Sequence, residues 1–259
     1  MSASLARLMG VIDALLGPGG CPWDKKQTPQ TLTDYIIEEG FELVDAIQSN
    51  RVDDAREELG DVLFLILFVA RLYGDQGAFT LDDSLEESAA KMIRRHPHVF
   101  ADTRLANQEE LLRNWERIKR SEKGGEGDAP VGVYASLPKG LPPMLKAYRI
   151  HSKAARAGFT WETDKDMEAQ LADEWREWRE AEASGDKERM EQEFGDYLFT
   201  LIELGRRKGI KANAALGRSN LKFLDRFAAM ETMARERGVD IATLPLDEQN
   251  ALWEAVKKR

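Results

Sequence analysis

The chain is poor in the residues that most often announce a function. A single cysteine, Cys21, excludes an internal disulfide framework and fits a reducing compartment, so a cytoplasmic protein is expected. Three histidines, His96, His98 and His151, have no spacing that pairs them with Cys21, which disfavours zinc. No G-x-x-x-x-G-K-[ST] stretch occurs, and a P-loop mechanism is excluded with it. The apolar run from Val62 to Ala70 falls far short of the roughly 20 residues a bilayer requires, so no membrane span is expected. Basic residues are the minority charge, 37 Lys+Arg against 46 Asp+Glu for a formal charge of -9. General binding of duplex nucleic acid or an anionic membrane needs a positive field, and neither partner is expected. The N-terminal stretch carries Asp13 within its apolar part and only Arg7 as a base, with helical spacing, and reads as an ordinary first helix rather than a secretion signal.

What is present is helical periodicity. With 42% apolar and 32% charged residues in 259, the chain can bury one large or two ordinary cores. Few segments alternate with period 2, whereas 3.6-residue patterns fill 3–16, 31–49, 53–73, 81–95, 108–120, 143–157, 165–184, 186–208, 211–237 and 246–258. An all-α fold follows. Between them EKGGEGDAPVGVYASLPKGLPP, with five glycines and four prolines, reads as a linker. The expected organisation is an N-terminal helical domain over 1–121, a linker over 122–142 and a C-terminal helical domain over 143–259.

The two halves are copies of one unit. A shift of 135 positions lays Glu39 on Glu174, Glu42 on Glu177, Glu58 on Glu193, Gly60 on Gly195 and Asp61 on Asp196, and carries Leu63-Phe64 onto Leu198-Phe199. A shift of 138 aligns Trp23 with Trp161 and the ending WERIKR with WEAVKKR. One E-x-x-E in so charged a chain is ordinarily a solvated helix face; the same four acids at the same spacing in both halves are a stronger signal.

On a helix, positions i and i+3 share a face, so Glu39 and Glu42 point one way, as do Glu58 and Asp61. Turns near SNRVDD and SGDK would fold each pair of helices into an antiparallel hairpin with its acids across one groove. Four converging carboxylates cannot all stay ionised unless something positive neutralises them. Oxygen-only ligands suit hard divalent ions, Mg²⁺ first, with Mn²⁺ or Ca²⁺ behind. A di-iron bundle would want Glu-x-x-His pairs, which neither half has. Carboxylate-held Mg²⁺ commonly leaves positions for substrate phosphates, so cations should follow. Lys222 and Arg226 stand at i and i+4, and Lys91 and Arg95 repeat that spacing in the first half. Such pairs are often solvated surface. Trp115 and Trp253, one per half, read either as core or as a ring stacked on a nucleobase.

The tetrads E-E-x-x-E and E-x-x-D, together with GCPWDKKQT (20–28), RRHPHVF (94–100) and the N-x-K-F-x-x-R-F of 220–227, resemble the MazG family of two-domain bacterial nucleoside triphosphate pyrophosphohydrolases. The resemblance covers essentially the whole chain. It implies tandem MazG-like helical bundles and Mg²⁺-dependent hydrolysis of nucleoside triphosphates between the α and β phosphates, with broad base range. It further implies Glu174, Glu177, Glu193 and Asp196 as metal-binding and catalytic residues, with Glu39, Glu42, Glu58 and Asp61 as a second metal set. Arg189, one turn before Glu193, would join Lys222 and Arg226 on the phosphates, and Trp253 would contact the base. The second half is favoured as the working one because family members are taken to hydrolyse there. Two flanking acids differ between the copies, Glu38 against Asp173 and Glu57 against Gln192, and both tetrads stay whole.

The apolar face of VLFLILFVA exceeds what a lone hairpin can bury, so a homodimer is expected, unless the two halves cover one another. Two rival readings remain: a non-catalytic helical dimer that binds a nucleotide and regulates, and a divalent-ion buffer. The recurring Lys/Arg pairs speak against the second.

Overall fold

The computed structural model describes residues 2–101, 107–122 and 132–258, and among them all regular structure is helical. The chain divides into two compact units, Met1–Lys119 and Arg120–Arg259. The first holds α1 (Ala3–Leu16), α2 (Thr33–Gln48), α3 (Val52–Asp75), α4 (Leu81–Arg95), the single turn α5 (Pro97–Phe100) and the start of α6 (Gln108–Ser121). The second holds α7 (Pro143–Arg156), α8 (Asp164–Ser184), α9 (Lys187–Arg207), α10 (Ala212–Glu236) and α11 (Leu246–Lys257).

Each helix expected from periodicity is found within two residues of its expected ends. The addition is α5, whose first residue is Pro97, a position where the missing N–H costs nothing. Of the expected linker, 123–131 lies outside the described residues. Residues 132–142 form turns anchored on α7, where the buried Lys153 donates from Nζ to Ser136 Oγ at 2.7 Å.

In each unit the central pair is an antiparallel hairpin, α2 on α3 and α8 on α9. The chain reverses at matching positions through a left-handed residue, Asn50 at φ 53° in the first and Gly185 at φ 72° in the second. Asp186 then caps α9 by accepting from the N–H groups of Glu188 and Arg189 at 3.1 and 3.2 Å. The first turn is tied instead by Arg51, which pairs with Asp45 at 2.6 Å and with Asp54. At the far end of the second hairpin, Arg207 donates to Asp164 and to the Trp161 carbonyl at 3.0 and 2.9 Å, and Lys208 pairs with Asp164. Hydrogen bonds from Lys208 and Arg207 hold the Asp164 carboxyl below its usual range. Thr163 and Asp166 add a reciprocal cap to α8. The hairpin that carries the second set of acids is therefore fixed in register at both ends.

Around the first hairpin, Ile12, Leu32, Leu65, Leu67 and Phe68 form an apolar core between α1 and α3. In the second unit, Met230, Ala234, Ile241 and Leu252 form a core between α10 and α11. Beside α9 the interior is polar: Glu203, 1% exposed, accepts from Arg206 Nε and a terminal nitrogen at 2.6 and 2.8 Å. His151 lies within 3.6 Å of the same carboxylate. Burial holds the His151 ring below its ordinary pKa, overcoming the opposite pull of Glu203. Its Nε2 stands 3.0 Å from the Phe199 carbonyl, which can only accept, so that nitrogen carries the proton.

Candidate metal and nucleotide site

Each hairpin gathers its acids into one groove. In the first, carboxylate oxygens of Glu39, Glu58 and Asp61 lie within 4.8 Å of one another. Glu42 joins Glu58 in the wall of an open cleft of 410 Å³, shared with Phe41, Asp45, Arg51 and Asp54. In the second, oxygens of Glu174, Glu177 and Glu193 lie within 4.8 Å of one another. Asp196 is close enough that its charge is felt: burial first, then Glu174 and Glu193, raise its carboxyl above the ordinary range. Burial, then Glu42 and Asp61, raise Glu39 likewise, and burial and Glu42 raise Glu58. Raised carboxylates in a cluster mean that the ionised state is strained and that a cation would relieve it.

The two grooves differ in what surrounds the acids. Glu174 Oε1 accepts from Gln170 Nε2 at 2.9 Å and from the buried Thr200 hydroxyl at 3.4 Å. Glu193 is paired with Arg189 at 3.5 Å. At the matching positions of the first unit, 135 residues earlier, stand Tyr35 in place of the amide of Gln170, Leu65 in place of the hydroxyl of Thr200 and the acid Asp54 in place of the cation Arg189. Gln170 and Thr200 were not singled out from the sequence. The available signal was Thr200, a threonine inside the run YLFTLI where the first copy reads VLFLIL with leucine at that place.

Of the cations expected on the phosphates, Arg189 meets the acids. Among the described residues no hydrogen bond or ion pair joins Lys222, Arg226 or Trp253 to them. Arg226 instead lies over the Trp253 ring at 5.7 Å. That ring contacts Phe223 at 5.3 Å and packs on the core of α10 and α11. Trp115 has the same company in the first unit, with Arg95 over it at 5.8 Å. Both tryptophans sit in a cation–π arrangement repeated in the two copies, each ring half-buried.

Oxygen-only donors at this spacing fit a hard divalent cation, and the absence of thiolate or imidazole among them fits neither zinc nor di-iron. Paired carboxylate hairpins define a class: all-α proteins built on duplicated helical hairpins whose acids have the donor chemistry for a hard divalent cation. Comparison with known proteins narrows it. A model of the MazG nucleotide pyrophosphohydrolase domain matches residues 27–100, which contain the whole first tetrad. The chain is 36% identical over 256 residues to the nucleoside triphosphate pyrophosphohydrolase of Escherichia coli (strain K12), covering 98% of this chain and 97% of that one. It is 36% identical over 250 residues to the nucleoside triphosphate pyrophosphohydrolase/pyrophosphatase MazG of Thermotoga maritima, covering 96% and 94%. A Bacillus subtilis protein, YabN, is 41% identical over 249 residues, 96% of this chain and 50% of that one. The chain belongs to the MazG family of nucleotide pyrophosphohydrolases.

Proposed function

We infer that the protein is a nucleoside triphosphate pyrophosphohydrolase, cleaving the bond between the α and β phosphates to release a monophosphate and pyrophosphate. We further propose that the second hairpin is the working site. The observation that carries this choice is the pair of donors on Glu174 and the cation on Glu193, which hold the second tetrad in place, whereas the cation of the first groove, Arg51, is paired with Asp45 and Asp54 outside the tetrad. Supporting partners of this kind fix ligand orientation and are commonly worth 10- to 100-fold in affinity or activity.

Glu174, Glu177, Glu193 and Asp196 would hold Mg²⁺, with Mn²⁺ as a substitute. When bound, the ion supplies positive charge against the phosphates and eases ionisation of water. The carboxylates would hold the ion, and one left free of it would accept a proton from the attacking water. Arg189 lies within reach of the accumulating phosphate charge. Lys222 and Arg226 stand at i and i+4 on α10, Arg226 over the Trp253 ring, and in this reading they serve phosphate oxygens.

A homodimer is part of this reading. Leu59, Leu63 and Ile66 on α3, and Phe194, Leu198 and Leu201 on α9, are exposed at helical intervals on the helices that bear the acids. Such stripes bury against another helix pair, which would enclose each groove. Among the described residues no helix is long and apolar enough to cross a membrane, and with Cys21 unpaired we place the protein in the cytoplasm.

The test is pyrophosphate release from a panel of ribo- and deoxyribonucleoside triphosphates by the whole chain, with Mg²⁺ and with EDTA. Metal-dependent monophosphate and pyrophosphate in equal amounts is the expected result. Saturable nucleotide binding with no turnover of any triphosphate would favour the regulatory dimer.

A further inference from the structure

Thr200 reaches Glu174 with little to spare. Its Oγ1 stands 3.4 Å from Glu174 Oε1, and at about 3.6 Å such a contact no longer counts as a hydrogen bond. Thr200 is on α9 and Glu174 on α8, so their separation depends on how α9 is turned about its own axis. A helix with its side chains is about 10–12 Å across, and a turn of about 10° therefore carries a side-chain oxygen by roughly 1 Å. That is several times the margin.

The turn of α9 has to be held, and a contact from α7 holds it beside Thr200. The buried His151 places Nε2 3.0 Å from the Phe199 carbonyl. That carbonyl belongs to the peptide group whose nitrogen is Thr200's own, so the imidazole grips the backbone unit that carries the hydroxyl. A carbonyl has two lone pairs, and a side-chain donor can use the one that the helix leaves free. The His151 ring also packs on the Phe199 ring, with centroids 4.0 Å apart. One turn further along α9, Glu203 faces Nδ1 of the same imidazole at 3.6 Å and is itself fixed by Arg206. The first unit is built otherwise. Leu65 stands in place of Thr200, and the core between α1 and α3 is made with Ile12, Phe64 and Phe68, whose side chains have no donor.

We propose that His151 is a positioning residue for the second groove: by gripping the Phe199–Thr200 peptide group from α7, it keeps the Thr200 hydroxyl on Glu174. This rests on the second groove being the working site. The effect of His151 on the reaction passes through Thr200.

The test uses the full-length protein with His151→Asn, His151→Gln, Thr200→Val and the double variant His151→Asn/Thr200→Val. A glutamine amide extends far enough to donate to the carbonyl, whereas an asparagine amide is too short, and both keep a polar group facing Glu203. Three things are measured: Mg²⁺ affinity without nucleotide, kcat and KM for a nucleoside triphosphate, and the magnetic resonance signals of the His151 ring protons in the wild type. His151→Asn is expected to lower Mg²⁺ affinity and kcat by about 10-fold, as Thr200→Val does, which is within the range for partners of metal ligands. The double variant should be no worse than either single one, and His151→Gln should recover most of the loss. The wild-type ring should show a proton on Nε2 coupled to the Phe199 carbonyl. Wild-type values in His151→Asn, single losses that multiply in the double variant, or a His151→Gln as impaired as His151→Asn would overturn the proposal. So would a wild-type ring without a proton on Nε2, a result that does not depend on any variant folding. A wild type that binds Mg²⁺ and turns over no nucleoside triphosphate would instead overturn the reading of the groove itself.

Discussion

Phe68 and Glu203 occupy one register of the duplicated hairpin, 135 residues apart, and both are 1% exposed. In the first unit that position is filled by an aromatic ring in an apolar core; in the second it holds a carboxylate satisfied by Arg206 and placed against His151. Arg71, the counterpart of Arg206, turns instead to Asp13 and Asp75. The same backbone thus tolerates two incompatible interiors, provided each is complete. A similar divergence marks the grooves. Both keep four acids; in the second Gln170, Thr200 and Arg189 contact them, whereas in the first Arg51 is paired with Asp45 and Asp54. The duplication has preserved the charge pattern in both copies and its support in one.

The largest expected effect breaks that asymmetry directly. Glu177→Ala should reduce pyrophosphate release to background, while Glu42→Ala leaves most of it. Both variants should keep the wild-type helical circular dichroism, since neither side chain is a core residue. A greater loss for Glu42→Ala would reverse the assignment of the working groove and place it in the half matched by the MazG domain model.

The interiors give the next effect, read as stability. Glu203→Ala leaves Arg206 without its buried partner and should cost about 3–5 kcal/mol in urea unfolding. Phe68→Glu puts a charge in an apolar core and should cost at least as much, since Arg71, the counterpart of Arg206, is already held by Asp13 and Asp75. The two losses should fall in separate unfolding transitions if the units unfold independently. A neutral Phe68→Glu would mean that the two interiors are interchangeable after all.

The helices and the duplication were legible in the sequence because both are written in spacing: apolar residues at 3.6 intervals and acids at identical offsets. Convergence of the acids was legible for the same reason, as i, i+3 pairs on two helices joined by a short turn must face one groove. The partners of those acids were not. Gln170 reaches Glu174 along one helix, but Thr200 reaches it from another, and pairing across helices depends on rotation about the helix axes that spacing leaves open. Trp253 had two readings, core or base contact; its half-buried ring packs on the α10–α11 core with Arg226 over it. Phe223, three residues before Arg226, supplied the ring that fixes it there. The Glu203–Arg206–His151 cluster was hidden because Glu203 reads as one more helix-surface acid until burial is known.

The support on Glu174 can be isolated. Thr200→Val keeps the shape and removes the hydroxyl, and should lower turnover by about 10-fold or more, within the range for partners of metal ligands. Leu65→Thr, the reverse change in the first unit, should leave turnover unchanged. Equal activity of Thr200→Val and the wild type would remove the hydroxyl from the account of why the second groove works.

The smallest effect tests the repulsion within the second groove. The Asp196 carboxyl is raised above its ordinary value by burial, then by Glu174 and Glu193. A raised carboxyl favours the protonated native state, so what it contributes to stability is present below the unfolded value of about 4 and is lost as pH rises through the raised one. In metal-free protein, ionising Asp196 works against burial and the charges of Glu174 and Glu193. Asp196→Asn should raise the metal-free Tm at pH 7 by ~2 °C, with the gain disappearing near pH 4. Added Mg²⁺ should stabilise the wild type and do less for the variant, because the ion relieves the same repulsion that the amide has removed. A lower Tm for Asp196→Asn at pH 7 without metal would mean that Asp196 is held by donors rather than strained by acids, and the groove would not need a cation to be stable.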